Sequence, residues 1–188
     1  MVRAFLPDPV PGAVLDRVLD AGRRAPAAGN TAEARAFVVV TETARYWDVT
    51  LPAGERRDAF AWPGLLAAPA IVVVCCRPSA YPERYAEPDK ALASTLGFGV
   101  DAWQQPMWWI DAGMAVEAML LALRAEGLGA CVVGLFEHEQ AVLAALGVPD
   151  GWRGVCTVVL GRPATVAPGR SAARPRPPLD DVVHRERW

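Results

Sequence analysis

Side chains that could do chemistry are scarce in this chain. It has only two histidines, His138 and His184, and four cysteines without the CxxC spacing of a metal or redox site. It contains no GxSxG, HExxH or P-loop string and no GxGxxG after a strand. No metal site is therefore expected, buried and reduced thiols are favoured, and an enzyme built on this sequence would take its reactivity from a bound cofactor.

Composition and charge narrow the class of protein. The chain has 188 residues, of which 53% are hydrophobic, so a single domain over 1–188 can bury a substantial core. A formal charge of -2 without long runs of one sign argues against nucleic-acid binding and favours small molecules or another protein as partners. No apolar stretch reaches the roughly 18 residues of a membrane span, and Met1 to Asp8 lacks a secretory core, so we expect a cytoplasmic location.

Helices and strands alternate in the pattern of the sequence. Apolar residues at helical spacing predict a helix from Pro11 to Arg24, followed by a small-residue turn over Pro26 to Asn30. We expect Asp111 to cap a long, nearly buried helix that ends at Gly127. The other predictions are buried strands at 37–41, 69–76, 130–134 and 154–161, an irregular excursion at 78–106, a short helix at 139–146, and an extended, proline-rich tail from 162.

Several local strings follow one another in a fixed order. They are Val2-Arg3-Ala4-Phe5 with Pro9-Val10-Pro11, Ala25 to Asn30, Asp111-Ala112-Gly113, Glu126 to Gly129, Val133-Gly134-Leu135, Val158 to Pro163 and Arg174 to Pro177. Each string is common by itself. In order and spacing, over nearly the whole chain, they resemble the nitroreductase family.

This resemblance implies an α+β fold, with a central mixed, largely antiparallel sheet flanked by helices. It also implies an interlocked homodimer in which each subunit contributes to two FMN sites, and a C-terminal tail, about 162–188, that reaches the partner subunit. The implied activity is FMN-dependent and uses NAD(P)H to reduce nitroaromatic, quinone or related acceptors by ping-pong hydride transfer through flavin N5.

The resemblance also assigns the site residues. Arg174 and Arg176 would bind the phosphate, for which their guanidinium forks are suited, and Arg3 would contact the flavin ring or the ribityl chain. The backbone of Gly134 and Leu135 would lie near N5, and no side chain is required as a catalytic acid or base. The remaining assignments are Pro26, Ala27, Ala28, Asn30 and Val133 against the flavin, and Trp103, Trp108 and Trp109 at the substrate pocket.

Other interpretations of the same residues stay open. The arginines could be solvated surface charge, and Pro26 to Asn30 an ordinary turn between a helix and a strand. The family's N-terminal string has further arginines and a serine before the position of Arg3, so either residues upstream supply them or Arg174 and Arg176 bind the phosphate alone. Functional alternatives are a flavin-binding or flavin-sequestering module without turnover, or a protein of this fold that acts on flavin or on a deazaflavin-type ligand.

Overall fold

A four-stranded antiparallel sheet forms the centre of the protein. The computed structural model describes residues 1–165 and 173–188. The strands are β1 (Arg35–Val40), β2 (Ala70–Cys76), β3 (Gly129–Val133) and β4 (Arg153–Gly161), in the spatial order β1-β2-β4-β3. Valine dominates these segments because its β-branched side chain packs well on a pleated surface.

Six α-helices surround the sheet in the described part of the chain. The long one is α5 (Met107–Ala125), and α1 (Gly12–Arg23) packs beside it. The shorter ones are α2 (Ala44–Thr50), α3 (Glu55–Asp58), α4 (Ala80–Tyr85) and α6 (Glu139–Ala145). No helix among the described residues is long and apolar enough to cross a membrane.

Both faces of the sheet are covered. Along β2, alternate residues such as Val72 and Val74 pack with α1 and α5, whereas Ile71 and Val73 pack with α2 and α6. Every residue of β2 is buried as a result, which explains its continuous apolar sequence. At Gly22, an added Cβ would lie 2.8 Å from Cγ of Met119, so the missing side chain lets α1 approach α5 closely.

Strand register brings several connections together at one end of the sheet. Arg35 at the start of β1 pairs with Cys76 at the end of β2, and Cys76 pairs with Arg153 at the start of β4. β3 ends at Val133, four residues into β4, opposite Thr157. The segments before β1 and after β3 therefore emerge at the same end, which we call the site end.

The α+β architecture predicted from the sequence is confirmed, with a strand in each of the four expected segments. Every pairing between the described strands is antiparallel. Two local predictions were wrong. The segment 78–106 is not wholly irregular, since it contains α4 and tight helical turns at 88–98 and 100–102. Asp111 is not a helix cap, because α5 already begins at Met107.

All four cysteines are free and buried, as the sequence favours. Burial raises the pKa of Cys75 and of Cys156 to about 11 and that of Cys76 to about 12, and it also raises the pKa of Cys131. The thiolate is the reactive form of cysteine, and a thiol with a pKa of 11 is ionised to only about one part in a thousand at pH 8.

We therefore expect the native protein to resist a chromogenic disulfide reagent at about pH 8, a pH at which exposed thiols react readily. In urea all four cysteines should react, because unfolding restores both their access and their ordinary pKa. The absorbance of the released reagent measures both states. Rapid reaction of any thiol in the native protein would contradict this assignment of burial.

Candidate functional site

The turn from Pro26 to Asn30 is anchored to the protein through its backbone. Its Ala28 N–H donates a 2.8 Å hydrogen bond to Oδ2 of Asp111 in α5. The Arg35 guanidinium donates to the carbonyls of Ala25 and Pro26 at 2.8 and 3.1 Å. Since Arg35 and Asp111 are both buried, the position of the turn is set by the core and not by the surface.

The tip of the turn is held by the neighbouring excursion. Gly29 and Asn30 adopt φ values of 65° and 59°, a conformation open to glycine and tolerated by asparagine. A Cβ on Gly29 would lie 2.6 Å from the ring of Tyr85, so glycine is also required by space. Arg84 donates to the Gly29 carbonyl at 3.0 Å and forms a bidentate pair with Asp89, which joins the turn to the following loop.

Asp111 is the polar centre beneath this turn. Its side chain is completely buried, and Oδ2 accepts hydrogen bonds from both Ala28 N–H and the Tyr81 hydroxyl, the latter at 2.8 Å. Burial and the hydrogen bond to Asp111 raise the pKa of Tyr81, so the phenol remains a neutral donor. The Asp111 carbonyl also accepts from Arg35 at 3.3 Å, which connects α5 to the start of β1.

The second part of the site is the loop that follows β3 at the same end of the sheet. Leu135 is buried with its side chain against Gly154, where an added Cβ would meet the leucine Cδ1. No loop or turn carbonyl among the described residues accepts the N–H of Gly134 or of Leu135. Val133, at the end of β3, is half-buried. The N–H groups of Gly134 and Leu135 therefore lie in a short segment that is held in place by the strand and by the buried Leu135 side chain.

An ion pair fixes the far side of this loop. Glu139 at the start of α6 accepts from Arg153 at 2.7 and 3.1 Å and from the Gly154 N–H at 2.9 Å. The Arg153 hydrogen bond contributes most to lowering the pKa of Glu139, so the carboxylate stays ionised. The Arg153 guanidinium also lies 5.6 Å from the ring centroid of Trp109, which links α5 to α6 across the site end.

The backbone beside Arg3 is fixed along β3. The N-terminal segment runs beside β3, where Val2 N–H donates to the Ala130 carbonyl at 2.9 Å. The Arg3 guanidinium lies 5.0 Å from the ring centroid of Trp62. Ala130 and Gly134 are four residues apart on an extended strand, which corresponds to about 14 Å.

The three tryptophans assigned to the substrate pocket occupy different environments. Trp108 is 9% exposed and packs against Tyr81 in the core. Trp103 is half-buried, donates from Nε1 to the Leu96 carbonyl at 2.9 Å and lines an open cavity of about 460 Å³. Trp109 is half-buried beside Arg153, so Trp103 and Trp109 are more accessible than Trp108.

Arg174 and Arg176 lie on the C-terminal tail, which is exposed throughout residues 173–188. Residues 166–172, in the first part of the predicted tail, lie outside the described residues. The described tail also exposes large apolar side chains, including Leu179 and Val182 at 67% and 57%. Among the described residues this subunit brings neither arginine into a hydrogen bond or ion pair with the turn or the Gly134 loop.

The donor set fits FMN at the backbone level. Gly134 and Leu135 offer N–H groups of the kind that a flavin N5 can accept. Arg174 and Arg176 supply exposed guanidinium groups suited to a phosphate. In the described part of the chain no group of three or more His, Cys, Asp or Glu side chains is placed to hold a metal ion.

Sequence reasoning missed the residues that support the site from beneath. Asp111 was assigned to a helix end, and Tyr81, Arg35 and Arg84 were given no role, although together they anchor the turn. One signal was available for Asp111: it is an acidic residue in an otherwise apolar helix face that the pattern already predicted to be buried.

Comparison with known proteins gives one family. A family model described as the nitroreductase family matches residues 1–162. The 5,6-dimethylbenzimidazole synthase of Rhodospirillum rubrum is 30% identical, over 94% of this chain and 87% of that protein. An Archaeoglobus fulgidus protein, provisionally named an NADH dehydrogenase/NAD(P)H nitroreductase, is 26% identical, over 93% of this chain and 85% of that protein.

Solved structures support the same fold. The crystal structure of an oxidoreductase containing FMN superimposes with a TM-score of 0.71 at 23% identity, covering 100% of this chain and 87% of that chain. At this identity the match establishes the fold, and the FMN belongs to that protein.

The anchoring role of Asp111 can be tested by unfolding in urea. Asp111→Ala should destabilise the protein by about 1–5 kcal/mol, because it leaves the buried Tyr81 hydroxyl unpaired, at about 1–3 kcal/mol, and the half-buried Ala28 N–H unpaired, at about 0–2 kcal/mol. Tyr81→Phe removes one of these bonds and should cost less. Glu126→Ala breaks an exposed pair with Arg17 and serves as the control, at about 0–1 kcal/mol. Equal losses for Asp111→Ala and Glu126→Ala would refute the role.

Proposed function

This chain belongs to the nitroreductase family, and from that premise we propose that it is an FMN-dependent oxidoreductase. It uses NAD(P)H to reduce nitroaromatic, quinone or related acceptors. The observation that carries the proposal is the fixed loop after β3, whose Gly134 and Leu135 N–H groups have no loop or turn acceptor among the described residues. A flavin oxidoreductase needs such donors where N5 is held.

The chain's own residues would bind and orient the cofactor. The backbone of Gly134 and Leu135 would donate toward N5, and the turn from Pro26 to Asn30 would contact the ring edge with small side chains. Bound FMN would supply hydride acceptance from NAD(P)H and hydride transfer to the acceptor. Because the turn and the loop are anchored through Asp111 and Leu135, both segments would need little reorganisation during reaction.

Phosphate binding would involve both ends of the chain. Arg174 and Arg176 would form charge-assisted hydrogen bonds to the phosphate, and Arg3, from the N-terminal segment beside β3, would contact the ribityl chain or ring. An exposed tail carrying Leu179 and Val182 favours a homodimer in which the tail packs on the partner. We place this dimer in the cytoplasm.

The names of two similar proteins agree with this chemistry. The Archaeoglobus fulgidus relative is provisionally named for NADH or NAD(P)H as reductant, and the structurally similar oxidoreductase contains FMN. Neither name identifies the acceptor of the present chain. The half-buried Trp103 and Trp109 favour a planar aromatic compound in that role.

A second candidate is an enzyme that consumes flavin itself. The Rhodospirillum rubrum relative is named for synthesis of 5,6-dimethylbenzimidazole. That compound contains a benzene ring with two methyl groups opposite two nitrogens, and the isoalloxazine ring of FMN contains the same unit. A protein that binds flavin or a deazaflavin without turnover is the remaining alternative.

The proposal can be tested by titrating FMN into the purified protein and adding NADPH or NADH without oxygen. We expect saturable FMN binding, bleaching of the flavin absorbance on reduction, and recovery of the colour when a quinone is added. Admission of air followed by chromatography then shows whether FMN remains intact.

Each alternative predicts a different result. Loss of FMN with formation of a dimethylbenzimidazole would favour the second candidate. Binding without bleaching by either nucleotide would favour a module without turnover. A protein that does not bind FMN would refute the proposed function.

The phosphate assignment has its own test. Arg174→Ala and Arg176→Ala should each weaken FMN binding by about 10- to 150-fold, since one charge-assisted hydrogen bond contributes about 1.5–3 kcal/mol. Arg187→Ala, in the same exposed tail, is the matched control and should leave the dissociation constant unchanged. If all three variants bind FMN like the wild type, the two arginines do not contact the phosphate.

A further inference from the structure

Phe136 has a strained backbone conformation that burial of its side chain does not offset. It adopts a φ of 44°, in the left-handed region that bulky side chains rarely occupy. Its side chain is 82% exposed, so burial contributes little to offset this strain. Strained residues of this kind persist where the surrounding structure holds them, and they cluster at ligand-binding sites.

The surroundings explain how the strain is maintained. On one side Leu135 is inserted in the core, 3% exposed, and on the other side Glu139 is fixed by Arg153 and by the Gly154 N–H. The Leu135 carbonyl accepts from His138 N–H at 2.8 Å and closes the turn between them. Phe136 is therefore held outward by two anchored neighbours.

The ring of Phe136 lies directly against Gly134. A Cβ built on Gly134 would lie 2.7 and 2.8 Å from two atoms of the phenylalanine ring. The glycine thus leaves space for an aromatic ring beside the N–H groups assigned to flavin N5. An exposed aromatic face at this point can stack on a planar molecule that approaches the flavin.

We propose that Phe136 is a specificity-determining residue that stacks on the aromatic acceptor. This inference rests on the proposed function and adds a role that the anchored Gly134 loop alone does not have. The ligand class is a flat, uncharged ring such as a quinone or a nitrobenzene, because the Phe136 side chain can stack on it but has no group that forms a hydrogen bond.

Binding to the oxidised, FMN-loaded protein tests the proposal without turnover. Nitrobenzene is titrated in the absence of reductant, and the change in flavin absorbance gives its dissociation constant. Phe136→Leu should weaken this binding by roughly 2- to 12-fold, the range that one aromatic pair contributes. Phe98→Leu changes another exposed phenylalanine, 83% exposed in the 88–98 segment, and should have no effect.

Steady-state kinetics provide a second readout. In Phe136→Leu the KM for 1,4-benzoquinone should rise by a similar factor, and kcat with this acceptor should stay unchanged. The rate with ferricyanide should also stay unchanged, because ferricyanide has no aromatic ring. Phe136→Gly should not lower the urea midpoint of the flavin-free protein, because glycine adopts a φ of 44° without strain.

Several outcomes would overturn the proposal. Unchanged nitrobenzene binding in Phe136→Leu would show that the ring does not contact the acceptor, although normal FMN reduction would leave the proposed function intact. Loss of FMN affinity or of dimers in this variant would assign the ring to the cofactor or to a subunit contact. A wild-type protein that cannot bind FMN would overturn the proposed function and this inference together.

Discussion

The buried carboxylate of Asp111 is the interaction on which the site end depends. Placing a polar side chain in a protein interior is unfavourable unless hydrogen bonds replace those it made to water. Here one oxygen accepts from Ala28 N–H and from the Tyr81 hydroxyl. The need to satisfy a single buried group therefore brings together α5, α4 and the turn between α1 and β1.

The other side of the site is also fixed by a few anchored residues. Leu135 anchors the loop after β3 by burial, and Glu139 anchors the next helix by an ion pair that is only partly exposed. These two anchors lie on either side of Phe136 and leave its ring exposed. Because its neighbours are rigidly held, Phe136 keeps a left-handed backbone conformation that is unfavourable for an exposed phenylalanine.

The sequence predicted the elements better than it predicted their connections. β1 to β4 could be found because their valine-rich runs have no helical spacing, and α5 because its apolar residues recur at three and four positions. Asp111 could not be placed correctly, because an aspartate near the start of an apolar helix is usually a cap. Only the fold shows that α5 begins four residues earlier and that Ala28 lies opposite its carboxylate.

The C-terminal tail sets a different limit on prediction. Prolines in 175–178 indicate an extended chain, and the structure agrees, but an extended segment has no internal partners that fix where its side chains lie. In the proposed dimer, the partner subunit would receive the apolar Leu179 and Val182 and so fix where Arg174 and Arg176 lie. The cofactor site would then be completed by association, because the Gly134 loop would supply backbone donors and the turn its small side chains, whereas the charges for the phosphate lie on a segment that this subunit leaves exposed.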